Sequence, residues 1–207
     1  SGFVTGETLS TTAVGTFASK DVGNRTATFV YSLADGTNGL ANNYSLANTI
    51  DSKNITKKAL TISGTTTNDK VYDGNTNADV NLGTLSGFVT GETLSTTAVG
   101  TFASKDVGNR TATFVYTLAD GTNGLANNYS LANTTDSKNI TKKALTITGT
   151  TTSDKVYDGN TNADVNLGTL SGFVDGETVS TTAVGTFASK DVGNRTATFV
   201  YTLADGT

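Results

Sequence analysis

The sequence predicts an all-β protein, a tandem array of small immunoglobulin-like β-sandwich domains forming an extended rod. Three features carry that reading. The chain repeats itself almost residue for residue every 85 positions. Thr fills 43 of its 207 positions, and a β-branched side chain suits a pleated, half-solvated surface. Apolar and polar residues alternate in short runs between Gly- and Asn-rich turns, and no segment sustains the 3.6-residue period of a helix.

The repeat organises the rest. Ser1-Gly2-Phe3-Val4-Thr5-Gly6-Glu7 returns at Ser86 and, with Asp175 in place of Thr, at Ser171. Residues 1–85 and 86–170 differ at four positions: Ser32/Thr117, Ile50/Thr135, Ser63/Thr148 and Asn68/Ser153. Residues 171–207 differ from 86–122 at two, Thr90/Asp175 and Leu94/Val179. A period of this length is too long for a solenoid coil and suits an autonomous domain strung as a bead. The phase predicts a partial repeat over 1–58, a complete repeat domain over 59–143 and a second partial repeat over 144–207. Both ends fall inside the pattern, as expected of a stretch of a longer array.

In the complete repeat, Ala59-Leu60-Thr61-Ile62-Ser63 alternates as a half-buried strand does. Lys70-Val71-Tyr72 predicts a short strand that turns at Asp73-Gly74, and Ala78 to Leu82 alternates again. Glu92 to Phe102 predicts a longer strand interrupted at Gly100, and Ser104 to Asn109 a turn. Thr111 to Leu118 is the clearest strand: Ala112, Phe114, Tyr116 and Leu118 share one face. A loop with a short helical turn follows around Asn123–Ala126, then strands at Asn128–Leu131 and Lys138–Ile140. Roughly seven short strands at this spacing predict a sandwich. Ile140 and Leu145 are separated only by Thr141-Lys142-Lys143-Ala144, with no Gly/Ser or Pro spacer. That predicts a stiff link and roughly 35–45 Å of length per domain.

Lys70-Val71-Tyr72-Asp73-Gly74-Asn75-Thr76, repeated at Lys155–Thr161, resembles the signature of the YDG repeat domain. Ala59-Leu60-Thr61-Ile62 before it, Gly100 to Gly108 after it and Asn128-Tyr129-Ser130-Leu131 near the end stand in the matching order. The resemblance singles out Tyr72, Asp73, Gly74, Tyr157, Asp158 and Gly159 as the structural motif. It implies tandem repeats of large bacterial surface adhesins and filamentous-haemagglutinin-like exoproteins: an extracellular, cell-surface or secreted stalk without catalysis. These repeats often carry Pro where Lys142 stands here.

The side-chain inventory narrows the chemistry. Without His or Cys there is no Ser-His-Asp triad, Cys nucleophile or zinc site of the usual kinds. Each repeat has one Glu (Glu7, Glu92, Glu177), placed after Gly in a turn-like context, so paired-carboxylate catalysis is not expected. Asp73, Asn75, Asn77 and Asp79 place oxygens at alternate positions, as a calcium loop would, although Thr84 stands where a closing Glu belongs. Their bland reading is a hairpin turn whose side chains bond their own backbone, and no other cofactor is expected. Tyr72 and Tyr157 are expected to bury their rings and tie their hydroxyls to backbone. Lys138-Asn139 and Lys142-Lys143 read as a solvated edge that discourages strand addition rather than as isopeptide partners.

The charge balance, 14 Lys and Arg against 18 Asp and Glu, offers no basic stripe for nucleic acid, and no apolar run is long enough to span a membrane. The expected partners are neighbouring repeats and, in a fibre, other copies of the chain. Two further roles fit the same residues: a self-assembling filament joined by β-strand addition, and a multivalent module for weak glycan or host-protein binding.

Overall fold

A computed structural model describes residues 2–206; Ser1 and Thr207, which close the two partial repeats, lie outside the described residues. The described chain is all-β: its only helical elements are two 3-10 turns, Ala41–Asn43 and Ala126–Asn128. In chain order the strands are β1 (Leu9–Phe17), β2 (Gly23–Asp35), β3 (Thr49–Ile55), β4 (Lys58–Ser63), β5 (Lys70–Val71), β6 (Asn77–Ala78), β7 (Thr84–Ser86) and β8 (Leu94–Phe102). After them come β9 (Gly108–Asp120), β10 (Tyr129–Leu131), β11 (Thr134–Thr141), β12 (Thr146–Thr148), β13 (Asn162–Ala163), β14 (Thr169–Ser171), β15 (Val179–Phe187) and β16 (Ala197–Asp205).

Contacts gather the chain into two compact units that do not follow the 85-residue period. The first holds the chain up to Thr65 together with Asn81–Val99 and Val115–Thr134. In it β1 and β2 form an antiparallel hairpin from Leu9↔Asp35 to Phe17↔Ala27, and β3 adds to β2 from Gly23↔Ile55 to Phe29↔Thr49. A second, mixed sheet has the order β10-β4-β7. The first half of β4 pairs parallel with β10 (Leu131↔Leu60), and its second half pairs antiparallel with β7 (Ile62↔Leu85). Leu60 and Tyr129 are buried on this sheet, as the alternation of β4 requires.

The second unit holds Thr66–Val80, Gly100–Phe114 and the residues from Thr135 on. Strands β8 and β9 run through both units and belong to a five-stranded sheet, β5-β11-β9-β8-β6. Phe102, Ala112, Phe114, Ile140 and Ala78 bury its inner face, while Thr113 between the two buried β9 residues stays exposed. This is the one-sided burial that the alternation in Thr111–Leu118 dictates. The last residues of this unit form a β12-β14 pair and a β13-β15-β16 sheet.

Several local expectations change. Gly100 does not interrupt β8. The strand runs through it because β6 passes alongside, and a Cβ at Gly100 would lie 2.7 Å from the Ala78 carbonyl oxygen. The Ala78–Leu82 run yields only the two-residue β6, and the chain forms β7 at Thr84–Ser86 instead. The helical turn is Ala126–Asn128, overlapping the expected Asn123–Ala126 only at Ala126, where the Asp120 carboxylate accepts the Ala126 N–H at 2.7 Å. β11 is not an edge strand: β5 pairs with it at Ile140 and Thr141, and just before that pairing the Asn139 N–H is taken by the Asp69 carboxylate at 2.7 Å. The links stay short, with two residues between β3 and β4 and four between β11 and β12.

Candidate functional site

The chemistry of this chain concentrates around the single glutamate of each repeat. Gly-Phe-Val-X-Gly-Glu closes on itself as a turn, with the Glu N–H bonded to the Val carbonyl three residues back at 3.0 Å for Glu7, Glu92 and Glu177 alike. The tyrosine of Asn-Asn-Tyr-Ser-Leu braces that turn. Tyr129 takes the Val89 N–H at 3.1 Å, donates to Glu92 Oε2 at 2.7 Å and meets Phe88 edge-on at 6.2 Å. Tyr44 does the same with Val4, Glu7 and Phe3. The rings and the turn therefore fix where the carboxylate points.

Each carboxylate with a repeat before it in the sequence also meets that repeat. In the first unit Lys20 Nζ donates to Glu92 Oε1 at 2.9 Å; in the second Lys105 Nζ approaches Glu177 Oε1 at 3.4 Å. The residue spacing is 72 in both cases. The lysine sits on the Ser-Lys-Asp-Val-Gly-Asn-Arg loop, which holds its own shape. Ser19 bonds the Asp21 carboxylate and backbone at 3.2 and 3.1 Å, and the Arg25 guanidinium clamps the carbonyls of Asp21 and Val22 at 2.9 and 3.0 Å. The loops at Ser104–Arg110 and Ser189–Arg195 repeat every one of these bonds.

In the first unit Asn128 completes the grip. Its amide oxygen accepts the Val22 N–H at 2.9 Å, and its amide nitrogen donates to Asp21 at 2.8 Å. In the second unit the YDG motif takes part. The Tyr72 hydroxyl donates to the Glu177 carboxylate, Lys105 Nζ lies 5.9 Å from the centroid of the Tyr72 ring, and Val174 sits against Gly74. Gly74 is required twice over: its φ is +79°, and a Cβ there would lie 2.7 Å from Val174 Cγ1.

Titration follows this geometry. The Tyr129 hydroxyl, then Lys20, holds the Glu92 carboxyl below the usual glutamate range, and Glu92 in turn raises Lys20 and Tyr129. Asn128 lowers Asp21. The Glu177 carboxylate raises Tyr72, and Lys105 is raised by Tyr72 and Glu177. The Lys20 side chain is 71% exposed while that of Glu92 is 11% exposed, so an open cation meets a covered anion. An exposed ion pair contributes little alone; orientation comes from the bonds acting together.

The residues singled out from the sequence divide clearly. Asp73, Asn75 and Asn77 do converge, and the Lys70 ammonium lies among them. It stands 2.8 Å from Asp73, 3.2 Å from the Asn75 amide oxygen, and 3.1 and 3.0 Å from the Asn75 and Asn77 carbonyls, with the Phe102 ring 5.9 Å away. A lysine thus supplies the positive charge inside the loop, and Lys155 repeats the arrangement with Asp158, Asn160 and Asn162. Asp79 lines the same pocket. Among the described residues no group of three or more acidic side chains is placed to hold a metal. The tyrosine expectation is corrected: Tyr72 bonds a carboxylate rather than backbone, Tyr157 is 58% exposed, and the tyrosines tied to backbone are Tyr44 and Tyr129. Glu92, Lys20 and Asn128 were missed as a set. Their sequence signal was the solitary Glu, one per period in an otherwise Glu-free chain.

A family model for the YDG domain matches residues 56–137 and again 141–207. The chain belongs to the YDG domain family, present twice in tandem. No curated protein and no solved structure matches the chain. No helix among the described residues is long and apolar enough to cross a membrane.

Proposed function

We propose that this chain is a non-catalytic structural segment of an extracellular bacterial adhesin stalk or surface fibre. In this reading each YDG repeat is a small immunoglobulin-like sandwich, made of a β10-β4-β7-type sheet and a β5-β11-β9-β8-β6-type sheet. Successive repeats are locked at self-similar joints into a rod. One observation carries the proposal: a lysine and a glutamate 72 residues apart meet twice, as Lys20–Glu92 and Lys105–Glu177. A contact that recurs with the period fixes each bead against the next in the same way, so identical copies add length rather than new recognition surfaces. The short links favour the same outcome, since two to four residues leave little slack. The preformed loop and turn lower the ordering cost of the joint.

Small-angle scattering on the 207-residue chain is the test. The expected profile is that of a stiff elongated particle, insensitive to dilution and shifting toward a flexible one in Glu92→Gln. A compact globule, or a wild-type profile already typical of freely hinged beads, would overturn the rod.

A further inference from the structure

The first two strands of the complete repeat run parallel to its last two. Strand β4 enters the repeat from the preceding link and lies along β10 from Lys58↔Tyr129 to Leu60↔Leu131. Strand β5 lies along β11, the strand that leaves the repeat, at Lys70↔Ile140 and Val71↔Thr141. The second pairing is longer than its two ladder positions. Past its end the Tyr72 N–H reaches the Thr141 carbonyl at 2.8 Å. Before its start two carboxylates take backbone N–H groups across the pair: Asp69 holds the Asn139 N–H at 2.7 Å, and Asp136 holds the Thr67 N–H at 3.0 Å. Those partners are 70 and 69 residues apart, in step with Lys70↔Ile140. Residues 67–72 are thus fastened along residues 136–141. Ile140 is 1% exposed and Thr67 2% exposed, so water is kept from the middle of the fastening and from one of its ends.

We infer that this fastening is a shear clamp and that it gives the repeat a mechanical function, the bearing of tension along the chain. Parallel partners point the same way, so a pull that enters at the start of β4 and leaves at the end of β11 slides them past each other. Sliding loads all the cross-strand bonds together, whereas an antiparallel hairpin pulled at its open end parts one bond at a time. A single hydrogen bond contributes little on its own, so resistance depends on how many share the load. The two carboxylates matter because they carry the fastening beyond a two-residue ladder, and a charged acceptor makes the stronger bond. Thr67, Asp69 and Tyr72 return as Thr152, Asp154 and Tyr157, while Asp136, Asn139, Ile140 and Thr141 have the counterparts Asp51, Asn54, Ile55 and Thr56, so the period carries the clamp residues with it. The inference goes beyond the proposed stalk, because it rests on pairing inside one repeat and not on the Lys–Glu joint.

Single-molecule stretching of the 207-residue chain tests it. The chain has no cysteine, so pairs of introduced cysteines define where the force enters. Handles at Thr56→Cys and Lys143→Cys, both exposed, load the clamp in shear. Handles at Ser95→Cys and Ala119→Cys, both exposed near the open end of the β8-β9 hairpin, peel that hairpin instead. The expected rupture force in shear is at least about twofold the peeling force, because several bonds must fail at once. The rupture should release up to roughly 300 Å of chain, the extended span of residues 56–143. Asp69→Ala combined with Asp136→Ala should remove most of the force difference and leave the peeling force unchanged. Asp69→Asn, which keeps an oxygen for the Asn139 N–H, should retain the difference. Equal forces in the two geometries overturn the inference, as does a double-alanine variant that keeps the full shear force. The comparison of geometries alters neither carboxylate, so it decides the matter even where the double variant fails to fold. A chain that scatters as freely hinged beads yet keeps the force difference would remove the rod alone; a stiff rod without the difference would remove this inference alone.

Discussion

The same loop occurs three times, and its valine records what covers it. Val22 is half-buried, Val107 is 41% exposed and Val192 is 85% exposed. The Val22 N–H is taken by the Asn128 amide oxygen at 2.9 Å, and two residues before it Lys20 meets Glu92; two residues before Val107, Lys105 meets Glu177. A third strand, β3 beside β2 and β11 beside β9, accompanies the hairpin that carries Val22 and the one that carries Val107. The loop's internal bonds are unchanged across all three, so the following repeat covers a shape that already exists rather than inducing it.

The core shows the same contrast. Phe102 is 2% exposed beneath β6 and Lys70, while Phe17, at the same place in the pattern, is 43% exposed. The largest expected effect therefore separates these two. Phe102→Ala should cost about 3–5 kcal/mol in urea unfolding, the range for emptying an aromatic site in a packed core. Phe17→Ala should cost no more than about half that, since much of its ring is already in water. Equal losses would mean that the half-strands of β5 and β6 do not build the core around Phe102.

A smaller difference isolates the joint. Gly74 and Gly159 share a positive φ, so Ala at either position carries the same left-handed strain of about 1–2 kcal/mol. Only Gly74→Ala also meets Val174. It should lose about 1 kcal/mol more than Gly159→Ala, a modest figure because a side-chain methyl can give way. Identical thermal midpoints for the two variants would show that Val174 is not seated on the YDG turn.

Much of the fold was legible because strands signal locally. Thr111–Leu118 announced its buried face through Ala112 and Phe114, and the turn at Ser104–Asn109 through its short polar residues. The sequence was silent where a contact joins distant residues. Gly100 reads as a strand breaker until Ala78 is seen beside it. Lys138-Asn139 reads as an edge until Asp69 is seen on the Asn139 N–H and β5 beside Ile140 and Thr141. The joint was hidden for the same reason: Lys20, Glu92 and Asn128 span more than a full period, and nothing local to any of them demands the others. The alternating oxygens of Asp73, Asn75, Asn77 and Asp79 are legible in the sequence, whereas the Lys70 ammonium that lies against the first three is not.

The smallest effect is electrostatic, and its sign is fixed by the first joint. Glu92 is held below the usual glutamate range, so the stability its contacts supply is complete above the ordinary glutamate pKa. It is lost as the pH falls through the lowered value. Asp21, lowered by Asn128, fails in the same direction. Tyr129 is raised, so its share is complete below the ordinary tyrosine value and disappears only as the pH climbs through the raised one. The first joint should thus hold from mildly acidic to mildly alkaline pH and loosen at both extremes. Because the Lys20 side chain is largely in water, salt should flatten the acid limb without removing the Tyr129 bond to Glu92. Carbon-13 titration of the Glu92 side-chain carboxyl should place its midpoint below that of an ordinary glutamate, and the Val22 amide shift should follow Asp21 and Glu92 together. In Lys20→Gln the Glu92 midpoint should move only partway back, since the Tyr129 hydroxyl is the larger cause. A full return to the ordinary glutamate value in that variant would make the ion pair, rather than the tyrosine brace, the element that sets the carboxylate.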